Sequence, residues 1–441
     1  MITDYRKYLL IGPSCSGKSV LLASLISNLE KKPEEIWPGW EKGSGLSFKA
    51  YKYGEDLAPF PYERILNEVA QRGEWPGPTA DISAIRLVGT YSGSRLKRVK
   101  HRIIRDFVDI PGEQFADFAG SGKADGKDTS YEDWSDAILE NFPLGADKLS
   151  IKAVKSYEAL LKQDPLATEG EILEGYQEMM KEARERFRYF ISPATLVTRE
   201  SSSEEGFPDN FAPIPHAFRA RYADIKKVFV QRFKCYQKEV VRPLRQQIAQ
   251  ADGVIVPVDV GWILGGGMAV FRDQHRLLQE FGHYLRHAEG WFKSFRSLAR
   301  RRLGLMVGSS GRLRSIVLCG TKYDTYLLED RSERLEELVK IFTQPVRAGA
   351  NHGRVKVEYA VCSGMQAART EDNYPDTLFG RIDDKEDSMN PSPLPEEWPA
   401  ENWNPDQYIF GTKFEPILPQ TMLYPPKQIN LRQVLEKLEN S

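Results

Sequence analysis

Near the start of the chain, Gly12-Pro13-Ser14-Cys15-Ser16-Gly17-Lys18-Ser19 matches the pattern G-x-x-x-x-G-K-[ST] at each fixed position. Residue types in this order make a cradle for a polyphosphate. Gly12 and Gly17 let the backbone curl round an anion with no side chain in the way. The N–H groups of Ser14, Cys15, Ser16, Gly17, Lys18, Ser19 and Val20 then lie along a phosphate chain, at the positive end of the helix that follows. Lys18 supplies a mobile charge to the outer phosphates, and the Ser19 hydroxyl is placed to bind Mg²⁺. The alternative is an ordinary Gly/Ser turn before a helix, but chance rarely fills every fixed position.

A phosphate cradle specifies only a nucleotide. Four later stretches narrow the choice, because they occur in the order a GTPase needs. Asp109-x-x-Gly112 closes an apolar strand; its carboxylate can hold the Mg²⁺ shell, and the Gly112 N–H can meet a γ-phosphate. Thr79 lies between the first helix and the next strand, where a hydroxyl can close on Mg²⁺ in the triphosphate state and let go after hydrolysis; Thr is also common in turns. In Thr321-Lys322-x-Asp324, the carboxylate can accept from guanine N1–H and the exocyclic amine, which adenine does not offer, while Lys322 lies along base and ribose. Ser363-Gly364 follows the last strand, where a backbone N–H can touch guanine O6, although many strands end in Ser-Gly.

These groups need a sheet edge to hold them. Residues 8–11, 82–88, 101–108, 253–259, 313–319 and 355–361 read as strands, and 20–26, 62–69, 271–303, 331–342 and 431–438 as helices. Residues 31–54 read as loop. Strands alternating with helices predict an α/β, three-layer, mainly parallel sheet. The stretch 114–249 is charged and helical in pattern, which predicts a large insertion. Residues 383–426 are rich in Pro and Trp and read as irregular, with one hairpin near 408–414. The expected division is therefore 1–113 and 250–370 for the core, 114–249 for the insertion, and 371–441 for a C-terminal strap and final helix.

Lys plus Arg number 61 and Asp plus Glu 62 in 441 residues, so no overall charge draws the chain to nucleic acid or membrane. The basic run Lys97, Arg98, Lys100, Arg102 and Arg105 alternates largely onto one strand face, and no nucleic-acid partner is expected. Four cysteines without CxxC spacing argue against a metal or disulfide framework and fit a reducing compartment. The chain starts almost directly into its first strand, and the apolar stretch 253–270 is broken by Pro257, Asp259 and glycines; neither a signal segment nor a transmembrane span is expected. His283 and His287 share a helix face but have no third ligand at fitting spacing. The basic, aromatic stretch 291–302 suits packing of its aromatics on the sheet better than a membrane surface.

With these residues in place, the chain resembles the YcjX-like family of P-loop NTPases, bacterial proteins associated with the phage-shock stress response. Trp75-Pro76-x-x-Thr79 resembles the family's Trp-Pro switch, and Asp109-x-Pro111-Gly112-Glu113 its D-x-P-G-E form. Gln247-Ile248 through Val258-Asp259, the following Gly265-Gly266-Gly267, and the ending Pro426-Lys427-Gln428-Ile429-Asn430-Leu431 are similar too. The likeness is weaker in the insertion, where a polar run follows Ile191-Ser192-Pro193. It implies a Ras-like core, GTP or GDP with Mg²⁺, GTP hydrolysis, a cytoplasmic setting at most peripheral to the inner membrane, and an inner-membrane protein partner. Many Ras-like GTPases place Gln directly after Asp-x-x-Gly; here that position is Glu113 and Gln114 comes one later, so both are candidates for positioning water, with Lys18 and Gly112 stabilising charge. The competing readings are an ATPase or phosphotransferase on the same phosphate loop, and a scaffold that holds nucleotide for a membrane partner.

Overall fold

The structure, a computed structural model, describes residues 2–39, 45–54, 57–77, 81–92, 100–120, 129–141, 148–187, 210–302, 313–326, 331–352, 355–383, 385–398, 403–417 and 425–440. Its central sheet contains β1 (Ile2–Leu10), β2 (Ser47–Lys52), β3 (Ala58–Pro59), β4 (Ser83–Ser92), β5 (Lys100–Asp109), β6 (Gly253–Val258), β7 (Ser315–Gly320) and β8 (Lys356–Val361). The strand order is β2-β4-β5-β1-β6-β7-β8, with β3 beside β4. All pairings from β5 to β8 are parallel, while β4 runs antiparallel to β2 and β5. The sheet is thus mixed α/β and mainly parallel, as expected.

Apolar side chains on both faces explain the layering, since successive strand residues point to opposite sides. Leu9, Val254, Val256, Ile316 and Leu318 enter one core cluster, and Tyr8, Leu10, Ile255, Val317 and Cys319 the other. The second face is covered by α1 (Lys18–Lys31), with α2 (Pro33–Ile36) and α3 (Tyr62–Arg72) beside it. Between β5 and β6 lie α4 (Gly112–Gly120), α5 (Tyr131–Asn141), α6 (Lys148–Lys162), α7 (Glu169–Phe187), α8 (Ala223–Tyr236) and α9 (Arg242–Gln250). Their middle members share a core of their own, built on Trp134, Tyr157, Phe211, Phe229 and Phe233. Phe115 of α4, and Leu244 and Ile248 of α9, join the sheet core instead. The first face is closed by α10 (Val260–Arg302), α11 (Arg331–Phe342) and α12 (Gln344–His352), and α13 (Leu431–Glu439) returns to the second face.

Three expectations change. Residues 31–54 carry α2 and β2 rather than loop alone; β2 is an edge strand burying essentially Phe48, so it has little apolar signal of its own. The expected hairpin at 408–414 is absent, and Gly411–Lys413 forms a 3-10 turn. The antiparallel strands of the tail are β9 (Arg369–Glu371), β10 (Tyr374–Ile382) and β11 (Lys385–Met389), a separate three-stranded sheet. Charged residues in β10 and β11 hide their alternation, because most of this small sheet faces water. Helix α10 begins at Val260, earlier than its periodicity suggests, and leaves helical geometry at Gly267. Lys97, Arg98 and Thr79 lie outside the described residues, as do the side chains of His287 and 291–302.

Candidate functional site

Parallel register decides where the site forms. Leu10 pairs with Asp109 and with Ile255, Val258 with Gly320, and Gly320 with Val361. The residues that follow each strand therefore leave the sheet at one carboxyl edge, where open α/β sheets bind ligands. That edge gathers the loop after β1, Asp109 at the end of β5, Asp259 after β6, Thr321 after β7 and Ser363 after β8.

The loop from Gly12 to Ser19 is tightly curled. Cys15 and Gly17 have φ of 62° and 85°, and Gly17 caps α1 in a left-handed conformation that glycine adopts without strain. The Ser16 hydroxyl donates to Pro13 O at 2.8 Å. The buried Lys18 ammonium donates to Gly12 O at 3.0 Å and Pro13 O at 2.7 Å. Burial pushes its pKa below the ordinary lysine value, against the opposing pull of the Asp109 and Glu113 carboxylates. The Ser19 hydroxyl donates to Asp109 Oδ2 at 2.6 Å. Hydroxyl and carboxylate oxygens meeting at one spot are the hard donors that Mg²⁺ takes, and Ser19 and Asp109 fit that ion.

Gly112 must be glycine for a steric reason. A Cβ there would sit 2.2 Å from Ser14 N, so the start of α4 lies directly on the Gly12–Ser19 loop. Glu113 is buried, and the Gln114 side-chain oxygen is buried without a partner among the described residues. The cavity is lined by Gly112 and not by either of these two.

At the far end, Thr321 Oγ1 donates to Ser16 O at 2.9 Å, fastening the Thr321–Asp324 loop to the Gly12–Ser19 loop. Lys322 has φ of 58°, and its ammonium pairs with Asp259 Oδ2 at 2.7 Å. Burial acts to lower the Lys322 pKa, but the Asp259 carboxylate outweighs it and the net shift is upward. Asp324 is buried, its carboxyl pKa raised by burial against the hydrogen bonds it accepts. Those bonds come from the Ser363 hydroxyl, from Ala367 N at 2.6 Å and from Ala368 N at 3.0 Å. Ser363 Oγ also accepts from Asp324 N at 3.0 Å.

One cavity of about 250 Å³ joins the two ends. Ser14, Cys15, Gly17, Lys18, Ser19 and Val20 form one side, and Thr321, Lys322, Asp324, Ser363 and Gly364 the other. Trp75, Pro76 and Gly77 lie on its wall; Thr79, two residues further, is outside the described residues.

Sequence reasoning missed Asp259 as the partner of Lys322, the amides of Ala367 and Ala368, and the tail residues Gly411 and Phe414 that also line the cavity. Asp259 had a signal, a carboxylate directly after a buried strand. Backbone amides have none, since every residue but proline carries one.

No described helix is long and apolar enough to cross a membrane. The model of the YcjX-like family matches residues 10–440 of the chain. No curated protein matches it.

Proposed function

The chain belongs to the YcjX-like family, and on that premise we propose that it binds a guanine nucleotide and hydrolyses GTP to GDP and phosphate. The observation that carries this reading is a single cavity with Lys18 and Ser19 at one end and Thr321, Lys322 and Asp324 at the other. Lys18 exchanges the Gly12 and Pro13 carbonyls for β- and γ-phosphate oxygens. Ser19 and Asp109 would hold Mg²⁺, which would neutralise phosphate charge there. The Gly112 N–H meets the γ-phosphate from the start of α4. Lys322, kept charged by Asp259, lies along the base while Asp324 reads its edge.

Glu113 and Gln114 stand off the cavity wall, so neither orients water as the site now stands. Hydrolysis is accordingly slow until a partner supplies charge or moves α4. The output is a conformational switch in a bacterial envelope-stress setting, a setting that rests on the family resemblance alone, as does an inner-membrane protein partner.

A second reading has one observation in its favour. Asp324 is already held by three protein donors, and if these persist with ligand bound the site is an ATP- or mixed-nucleotide hydrolase. Competition decides. Displacement of bound fluorescent GDP by GTP at concentrations at least a hundredfold below ATP is expected; equal displacement would remove guanine recognition from Asp324.

A further inference from the structure

Tracing the cavity wall leads out of the sheet and into the C-terminal tail. Gly411 and Phe414 line the same cavity as Trp75, Pro76 and Gly77. The two segments are fastened together, since Trp75 Nε1 donates to Phe414 O at 3.0 Å. Trp75 is 40% exposed, so packing alone does not hold its ring.

The Phe414 ring is buried and packs with Ala367, Ala368 and Leu378. It lies so close over Gly380 and Gly411 that a Cβ on either would come within 2.3 and 2.9 Å of it. Ala367 and Ala368 are the residues whose amides hold Asp324. The strap is pinned further by Glu415 N to Arg381 O at 2.9 Å and Ile417 N to Gln366 O at 2.7 Å. One residue thus joins both ends of the site: its carbonyl takes the loop leading to Thr79, and its ring backs the segment that holds the base reader.

The cavity, about 250 Å³, is close to the roughly 300–1,000 Å³ usual for ligand pockets, so the walls that frame it bear directly on how a nucleotide enters and leaves. The P-loop, Thr321–Asp324 and Ser363 walls are built on the sheet edge. At the Trp75–Phe414 junction two loops off the sheet edge meet through the Trp75 Nε1–Phe414 O hydrogen bond.

We propose that the strap around Phe414, clasped by Trp75, is the gate of the nucleotide pocket and sets how fast nucleotide leaves. Phe414 and Trp75 are positioning residues here. The inference rests on the nucleotide-binding reading above, but not on which base is bound.

Stopped-flow release of a fluorescent GDP from the full chain tests it. Trp75→Phe keeps the ring and removes the N–H donor. It is expected to raise koff about fivefold, the usual worth of one hydrogen bond, with kon not reduced and the melting temperature of the free chain lowered by no more than about 2–4 °C. Gly411→Ala pushes on the Phe414 ring without touching Trp75 and is expected to raise koff at least threefold. A merely structural role would lower melting temperature and bound fraction while leaving the release rate of bound nucleotide alone. A koff within threefold of wild type for either variant overturns the gate. Should wild type retain ADP and not GDP, the guanine assignment falls, and the same rates measured with fluorescent ADP decide the gate; retention of neither by wild type sinks both.

Discussion

Lys18 sits with its ammonium against the Gly12 and Pro13 carbonyls, in a loop that has closed on its own cation. Removing it takes away a charge that is costly to bury, at the expense of its two contacts with the Gly12 and Pro13 carbonyls. Lys18→Ala is therefore expected to weaken GTP binding about a hundredfold, the loss of charge-assisted hydrogen bonds to phosphate. The melting temperature should stay within a few degrees; isothermal titration and a thermal melt check the two halves, and a variant that fails to fold contradicts the placement. Asp324 calls for a different experiment. An Asn amide can keep its oxygen on Ala367 N and Ala368 N and turn its NH₂ to the Ser363 hydroxyl, which also accepts, so Asp324→Asn should fold. Its base preference should move from guanosine toward xanthosine nucleotides, whose carbonyl replaces the guanine amine. An unchanged preference in competition binding means the carboxylate serves the Ala367–Ala368 segment and no base.

At the scale of elements, strand ends and helix ends hold each other in place. Arg105 of β5 is buried and pairs with Glu439 at 2.7 Å and Asp4 at 2.6 Å, while Arg6 of β1 pairs with Glu439 at 3.4 Å. The Glu439 and Asp4 carboxylates raise the Arg105 pKa despite the opposing effect of burial. This network locks α13 to the two strands whose far ends carry Asp109 and the Gly12–Ser19 loop. Breaking a buried pair strands a charge. Glu439→Gln should lower unfolding free energy by about 2–4 kcal/mol in urea, toward the low end because Asp4 remains. A loss below about 0.5 kcal/mol would show the network to be idle. Strand character was legible in β6, β7 and the end of β1 from Tyr8, whose apolar runs require two covered faces. It was not legible for β2, which borrows its strand character from β4.

Across the whole molecule, a buried lysine makes stability depend on alkaline pH. Lys7 donates to Gln247 Oε1 at 2.7 Å and Gln250 Oε1 at 3.3 Å, joining β1 to α9. Burial lowers its pKa to about 8, against the upward pull of Asp106 and Asp252. In the unfolded chain the ordinary lysine value is about 10.4, so between these values the unfolded state holds more protons. Stability then rises with pH, by about 2 kcal/mol from pH 8 to 10. Above pH 10 the buried tyrosines oppose it, since Tyr5 and Tyr8 resist ionising in the fold. Lys7→Met should flatten the 8–10 slope relative to wild type in urea titrations at each pH. Equal slopes would mean the ammonium is solvated in the native state.

The amino-acid order by itself determined the contiguous parts: the Gly12–Ser19 loop between its strand and helix, the Asp109-x-x-Gly112 turn, the Thr321-Lys322-x-Asp324 loop and the helical stretch between β5 and β6. Each is written in neighbouring residues whose side chains carry the chemistry or the periodicity. Tertiary structure alone decided that Ala367 and Ala368 hold Asp324, that Asp259 holds Lys322, and that Trp75 reaches a carbonyl 339 residues away. The first and last of these use backbone groups, which every residue type shares. The Asp259–Lys322 pair had its residue types in view, but only the strand register sets them side by side.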